Sequence, residues 1–329
     1  MIDRVRQAQR PCRHRATAAW ILLGGFGGLA SIANAEVITV CPDGTCDFTD
    51  PAAAVASAAT GDVVEIAAGT YLLEQSISVY GPQHLVIRGE VDSKGMPATV
   101  LDGQGQFTVL GMLHTSDETS IENLVIANGR SDYGGGMFLH NADPVFVNCR
   151  IENNIANING AGSFISGDSR VTFVGCEFTG NGTPWPNGAG GAAWISASEV
   201  VFVDCLISEN TTLGYGAGLF VSSGSVANLD STRVCGNSAP STPQIFVAAG
   251  GAWHDLGASC VVDDCDTCPE APACPADLNL DGIVNGADLG IALAWWGDCK
   301  GGCAADLDGS GAVNGADLAI LLASWGACS

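Results

Sequence analysis

Four stretches of this chain close on the same residue at nearly the same interval. They read "VFVNCRIENN" (145–154), "VTFVGCEFTGN" (171–181), "VVFVDCLISEN" (200–210) and "VANLDSTRVCGN" (226–237), and the closing Asn recurs at 154, 181, 210 and 237. A unit of 27 to 29 residues is too short to enclose a core, so each must be covered by its neighbours in a stack. Glycine-rich triplets punctuate the copies, "GGG" at 134–136 and "GAG" at 160–162, 188–190 and 216–218. "IENLVIANG" (121–129) reads as an earlier, looser copy.

Each copy holds short β-rich runs split by Gly and Asn. Stacked in register, Ile151, Phe178, Ile207 and Val234 make one apolar ladder, and Phe146, Phe173, Phe202 and Leu229 another. Cys149, Cys176 and Cys205 make a third, with Thr232 in the last copy. The recurring Asn suits a turn in the left-handed region with side chains bonding up the stack. These ladders predict an all-β body, a right-handed single-stranded parallel β-helix. With Gly at 44 of 329 residues, long helices are disfavoured.

The N-terminal side fits. In "DFTDPAAAVASAATGDVVEIAAGTY", Asp50 is placed to cap a short helix with Pro51 at its first position, ending at Gly61. Such a helix covers the open end of the first coil. The stretch resembles the start of many pectate-lyase-like β-helix proteins, a resemblance covering about residues 37–250 that implies fold rather than activity.

Residues 1–35 carry five arginines, then a charge-free apolar run ending in Ala33-Asn34-Ala35. This is the pattern of a secretory signal cleaved before Glu36, with an uncleaved anchor as the alternative reading. Removing Asp3 and the five arginines leaves 34 acids against 7 bases, a net charge of −27. A chain this acidic is not expected to bind nucleic acid through phosphates, and it repels polyanions unless a cation bridges them. The expected product is secreted, extracellular or at the cell surface, without membrane attachment once the signal is gone.

The C-terminus repeats more strictly. "ADLNLDGIVNGADLGIALAWWG" (276–297) returns 29 residues on as "ADLDGSGAVNGADLAILLASWG" (305–326). Asp277, Asn279, Asp281, Ile283, Asn285 and Asp288 stand at positions 1, 3, 5, 7, 9 and 12 of a calcium loop, and Asp306, Asp308, Ser310, Ala312, Asn314 and Asp317 repeat the set. Hard Ca²⁺ takes six or more oxygens, and alternate side chains, one carbonyl and a final carboxylate supply them. Unlike an EF-hand, position 12 is Asp and no helix enters either loop. A short helix follows each, with Leu289, Ala292, Leu293 and Trp296, then Leu318, Leu321, Leu322 and Trp325, as the apolar stripe. The stripes are expected to pack together about a pseudo-twofold, and Gly297 and Gly326 to stop the helices.

Two such repeats resemble a dockerin over about residues 274–328. The resemblance implies two Ca²⁺ ions, folding on calcium binding, and a cohesin-like docking protein as partner. Loop positions 10 and 11, which help read the partner in the family, are Gly286-Ala287 and Gly315-Ala316. They lack the usual hydroxyls, which puts a familiar cohesin in doubt. A calcium-stapled cap with no partner is the competing reading. The expected domains are 1–35 signal peptide, 36–258 β-helix, 259–273 a Cys- and Pro-rich acidic linker, and 274–329 the dockerin-like unit.

Thirteen cysteines follow the signal. Three form the buried ladder and ten remain for disulfides. Cys41–Cys46 closes a tight turn, Cys235–Cys260 ties the last coil, and Cys265–Cys268 or a reshuffle lies in the linker. Cys274–Cys299 and Cys303–Cys328 clip the two repeats, with Cys299–Cys303 as the competing connectivity. Zinc on Cys260, Cys265, Cys268 and Cys274 is a further alternative.

Outward positions offer Arg150, Glu177, Asp204, Glu209 and Arg233 as candidates for lyase or hydrolase chemistry. Arg150 and Glu177 fall roughly 4.8 Å apart on adjacent coils, the spacing of a surface ion pair as well as of a site. Asp204, Glu209 and Glu177 are a candidate acidic patch. Trp185, in the insertion "GTPWPNG" (182–188), and Trp194, with Tyr133 and Tyr215, are candidate sugar contacts, although Trp194 also suits the core. The expected function is a secreted β-helix that binds a polysaccharide or surface and is docked through its tail. The alternative is a polysaccharide lyase or glycoside hydrolase carried as dockerin-borne cargo.

Overall fold

The computed structural model describes residues 35–81, 84–116, 119–257, 259–268, 276–279, 283–298, 305–307 and 310–327. The expected signal peptide up to residue 34, the linker beyond residue 268, Asp281, Asp308, and Cys274, Cys299, Cys303 and Cys328 lie outside these residues.

The body is a right-handed parallel β-helix. Three long sheets run its length. Sheet A stacks nine described strands from Val37–Val40 to Ala252–Gly257. Sheet B stacks eight from Gly69–Leu72 to Cys260–Val261, and sheet C seven from Ile77–Tyr80 to Ile245–Val247. A fourth strip, here the lateral sheet, holds Arg130–Tyr133, Ile155–Asn159, Gly182–Thr183 and Thr211–Thr212. The predicted ladders are in register: Phe146, Phe173, Phe202 and Leu229 pair in sheet A, and Ile151, Phe178, Ile207 and Val234 in sheet B. The Phe146–Phe173 and Phe173–Phe202 rings stack at 4.9 and 5.2 Å, with Phe178 edge-on to Phe173 at 5.0 Å. These rings are fully buried, so the core is a column of aromatic contacts, each coil covering the next.

Helix α1 (Pro51–Ser57) is capped by Asp50, whose carboxylate accepts from the Ala52 N–H at 2.9 Å. Ala52, Ala54 and Val55 enter the core. The helix ends at Ala58, earlier than the predicted Gly61. The reason is Asp62, whose carboxylate takes the N–H groups of Ala59 and Glu36, both at 2.8 Å, and draws the chain out of the helix.

The recurring Asn occupies a different place from the one predicted. The left-handed residue is the one before it: Asn153, Gly180, Glu209 and Gly236 have φ between 56° and 66°. Asn154, Asn181, Asn210 and Asn237 are instead turned inward and buried. Each side-chain oxygen accepts the backbone N–H of the previous rung at 2.8 to 3.1 Å, as Asn181 does for Asn154 and Asn210 for Asn181. Each Nδ2 donates to a carbonyl of the coil before, Asn181 to Ile151 and Asn210 to Phe178. The Asn ladder thus answers buried backbone groups where strand pairing stops at the corner. Gln244 ends it, its Oε1 accepting from Asn237 Nδ2 at 2.8 Å.

One glycine triplet is also displaced. Gly134, Gly160, Gly190 and Gly216 all sit at positive φ, where an added Cβ would come within 2.2 to 2.5 Å of a backbone oxygen in the following strand. Ala161 and Gly162 donate to Gly190 and Gly191. The equivalent of 160–162 is therefore 190–192, not 188–190, because the insertion around Trp185 pushes the triplet along.

The thiol ladder is as predicted. Cys149, Cys176 and Cys205 are free and buried. Each bonds like a hydroxyl: Cys176 Sγ accepts from Cys149 N at 3.4 Å, and Thr232 Oγ1 accepts from Cys205 N at 3.2 Å in the next position. Cys149 and Cys176 are pushed well above the usual thiol range, first by burial.

Cys41–Cys46 forms as expected. The closing turn is tied differently from the Cys235–Cys260 and Cys265–Cys268 scheme: Cys235 bonds Cys265, and Cys260 bonds Cys268. This removes those three thiols from any zinc site. Cys260–Val261 pairs in register with Arg233 and Val234, so the solenoid runs into the segment read as linker, whose 3-10 turn at Cys265–Thr267 completes the last coil. Disulfides of this kind belong to an oxidising, extracellular setting. Among the described residues no helix is long and apolar enough to cross a membrane.

In the tail, α2 (Gly286–Ala294) and α3 (Gly315–Ala323) each follow one loop, capped by Asn285 and Asn314 in complete capping boxes with Asp288 and Asp317. The copies cross-pair: Ile283–Val284 lies antiparallel to Gly326–Ala327, and Gly297–Asp298 to Ala312–Val313. Ala276, Val284 and Ala292 of one copy and Ala305, Val313 and Leu321 of the other make a small shared core. The predicted stripe is only half buried. Leu289 and Ala292 face inward, whereas Leu293, Trp296, Leu322 and Trp325 are about half exposed. The loops supply much of the core themselves, which leaves these side chains outside.

Candidate functional site

The five charged candidates are placed first by the turns and strands that carry them. Arg150 and Glu177 meet as the register predicts, Nε 3.1 Å from Glu177 Oε2, and Arg150 Nη2 lies 2.6 Å from Glu152. The Nε contact lies outside hydrogen-bond geometry. A guanidinium has donors and no acceptor, and this one is tied up by two carboxylates. Arg233 Nη2 donates to the Cys265 carbonyl at 3.0 Å and so fastens the closing turn. Asp204 and Glu209 are both left-handed turn residues, at opposite ends of Leu206–Ser208, so the strand separates them. Among the described residues no three His, Cys, Asp or Glu side chains are grouped as a metal would need.

The aromatic candidates divide. Trp194 points outward, stacked on Phe220 at 4.0 Å and on Phe164 at 6.4 Å, with interplanar angles of 3° and 9°. Phe138 and Phe246 extend this outer column at either end. Tyr133 lies edge-on to Phe164 and Tyr215 leans on Phe246. With both faces of Trp194 covered, it is neither core nor a free platform for a sugar. Trp185 is 56 % exposed on its inserted loop.

Two concavities flank the lateral sheet. One, about 460 Å³, is lined by Ile155, Gly182, Thr183, Pro184, Thr212 and Leu213, next to Trp185. Ile155 and Leu213 are 37 % and 56 % exposed. Such a cluster of exposed apolar side chains round a groove marks a binding surface. The other, about 550 Å³, is polar and lined by Gln106, Phe107, Thr108, Arg130, Asp132 and Asn157. Asn157 lines the polar concavity and Ile155 the apolar one, so the two share the strand Ile155–Asn159. Gln104 and Gly105, both at positive φ, turn the loop that carries Gln106 and Phe107. The Phe107 carbonyl accepts from Arg130 N at 2.9 Å. Sequence reading missed Arg130, Asp132 and Asn157. The sign was there in "GRSDYGG" and "NIANINGAG", two polar strands entered from equivalent corners.

In the tail, Asp288 is fully buried, its Oδ1 accepting from Leu278 and Asn279 N–H at 2.7 and 3.1 Å and its Oδ2 from Asn285 N–H at 2.8 Å. Asp317 is equally buried, accepting from Leu307 and Asn314, both at 2.8 Å. Asp306 takes the N–H groups of Ser310 and Gly311 at 2.9 and 2.8 Å. The Ile283 and Ala312 carbonyls, at loop position 7, accept from Asn285 and Asn314 Nδ2. The described donors are all hard oxygens, and they fit Ca²⁺ in kind.

A family model described as right handed beta helix region matches residues 110–266. None of the curated proteins matches the sequence. Among solved structures, the pectin methylesterase of Aspergillus niger is 14 % identical with a TM-score of 0.39, covering 68 % of this chain and 85 % of its own. Pectin methylesterase from carrot is 14 % identical with a TM-score of 0.39, covering 67 % and 82 %. Family match and ladder registers give one answer for residues 110–266: a right-handed parallel β-helix.

Proposed function

We propose that this is an exported β-helix module that binds an extracellular polysaccharide and is docked by a calcium-dependent tail. The observation that carries the binding half is the apolar groove beside the lateral sheet, with Ile155, Pro184 and Leu213 in it and Trp185 exposed alongside. Its length along the stack suits a linear chain, and a mature charge of −27 favours a neutral one. The docking half rests on the loops and helices. Two Ca²⁺ ions, held by Asp277, Asn279, Asp281, Asn285 and Asp288 and by Asp306, Asp308, Ser310, Asn314 and Asp317 with the Ile283 and Ala312 carbonyls, would balance two buried carboxylates. The half-exposed Leu293, Trp296, Leu322 and Trp325 support a protein partner across two equivalent helix faces.

The test is to incubate mature protein with a panel of polysaccharides, with and without Ca²⁺, reading retention, unsaturated products and new reducing ends. Retention without cleavage is the expected result. Unsaturated products would replace the binding reading with a lyase, and reducing ends alone with a hydrolase.

A further inference from the structure

We infer that the polar cavity beside the lateral sheet is a subsite for the vicinal hydroxyls of a neutral pyranose. This rests on the polysaccharide reading above and names the sugar class it implies.

The cavity sets a cation, an amide and an anion in one hydrogen-bonded line. Arg130 Nη2 donates to Asn157 Oδ1 at 3.2 Å, and Asn157 Nδ2 donates to Asp132 Oδ1 at 2.9 Å. All three groups are planar, and together they present fixed donors at one end and fixed acceptors at the other. A pair of adjacent hydroxyls, each both donor and acceptor, matches that polarity. Gln106 adds a further amide to the lining, and Phe107, which packs partly against the core, closes the cavity beneath it.

The charges narrow the ligand. The mature chain has seven bases. Arg88, Arg150 and Arg170 are engaged with carboxylates, and Arg233 holds a carbonyl. Arg130 lines the cavity, but Asp132 sits two residues away on the same strand and is joined to it through Asn157. A uronate carboxylate brought to Arg130 would meet the Asp132 charge as well, whereas a neutral hydroxyl pair uses both ends. The apolar groove next door then takes the following residues of the same chain.

The test uses isothermal titration of full-length mature protein with cellohexaose, xylohexaose, mannohexaose and hexagalacturonate. Wild type is compared with D132N, N157A, R130Q and the groove variant L213A, each checked for unchanged melting temperature. D132N keeps shape and removes only the charge, so it separates recognition from folding. The expected result is binding of at least one neutral oligosaccharide, weakened at least tenfold by D132N and by N157A. Neutral binding unchanged in both variants but lost in L213A would overturn the subsite and leave the polysaccharide reading standing. Binding confined to hexagalacturonate, lost in R130Q and tightened in D132N, would overturn it in favour of a carboxylate site. No binding of any of the four would overturn the subsite, and the polymer panel would then decide the broader reading separately.

Discussion

In the body, each coil's apolar rungs are covered by the coil before and the coil after; in the tail, each copy has a single neighbour, the other copy. The first arrangement is a translation that spreads stability along a line of near-equivalent contacts. The second is a twofold closure that concentrates it into one small core of Ala276, Val284, Ala292, Ala305, Val313 and Leu321. The polar interiors differ in the same sense. The body's buried ladder rungs are neutral amides, thiols and hydroxyls bonded to the neighbouring coils, and its one buried acid among the described residues, Asp62, lies at the capped end, whereas the tail buries the carboxylates of Asp288 and Asp317 outright. Repetition alone therefore does not decide how a protein is held together. A neutral ladder is self-sufficient, and a pair of buried acids calls for a counter-ion.

That contrast can be broken most directly by testing the calcium dependence proposed for the tail. With chelator, the tail of the full-length mature protein is expected to lose its structure almost completely while the body keeps its own. Limited proteolysis followed by mass spectrometry reads this as rapid cutting beyond residue 276 and a surviving body. Identical digestion in both conditions would make the two regions alike. The next largest effect is in the body. Phe173→Ala removes a fully buried ring between two others and should cost about 3–5 kcal/mol in denaturant unfolding, while the tail's response to calcium stays the same.

Asn181→Ala tests the neutral ladder itself. It strands the Asn154 N–H and the Ile151 carbonyl, for about 1–3 kcal/mol per buried group left unpaired. A loss below about 0.5 kcal/mol, the level of an ordinary surface change, would mean that water replaces the rung. The smallest effect is expected from Cys176→Thr, since Thr232 already makes these bonds two steps along; a change of less than about 1 kcal/mol is expected, within the ordinary worth of one hydrogen bond. The thiols carry a pH signature too. Unfolded thiols titrate near about 8.5, whereas burial holds Cys149 and Cys176 higher. Their contribution is intact below pH about 8.5 and declines above it, by up to about 1.4 kcal/mol per pH unit for each thiol. Cys176→Thr should flatten the decline of unfolding free energy between neutral and alkaline pH; an unchanged slope would assign it to other groups.

Much of this was readable because in-register stacking puts equivalent residues one period apart. The Phe and Cys ladders follow from that alone. What escaped the reading has common causes. The left-handed residue precedes the conspicuous Asn, and only Gly180 and Gly236 hint at it. The outer column of Phe138, Phe164, Trp194, Phe220 and Phe246 keeps spacings of 26, 30, 26 and 26 residues, so an insertion hides it from an alignment anchored on Asn. Arg130 and Asp132 lie on a strand that most coils lack, and no period points to them. Four neighbouring cysteines at the closing turn admit three pairings that only geometry separates. In the tail, the loop pattern predicted both helices but not their caps, which are Asn285 and Asn314 at the start and Trp295 and Ser324 at the end, ahead of the expected Gly297 and Gly326; a stripe on a nine-residue helix could not tell which half the loops would already cover.

Gln244 has a consequence for how long the molecule can be. Every Asn rung presents to the next coil the same groups it received from the last, so nothing in the rung itself limits how many follow. Gln244 folds back from within its own coil, takes both the N–H and the side-chain amide of Asn237, and hands its own amide to Asp263. It caps the last rung, and the disulfides at Cys265 and Cys268 tie the turn beside it. Side chain and disulfides close the stack together: a coil duplicated upstream of Gln244 should extend the solenoid by one strand spacing, whereas losing that amide should leave the last Asn rung without its partner.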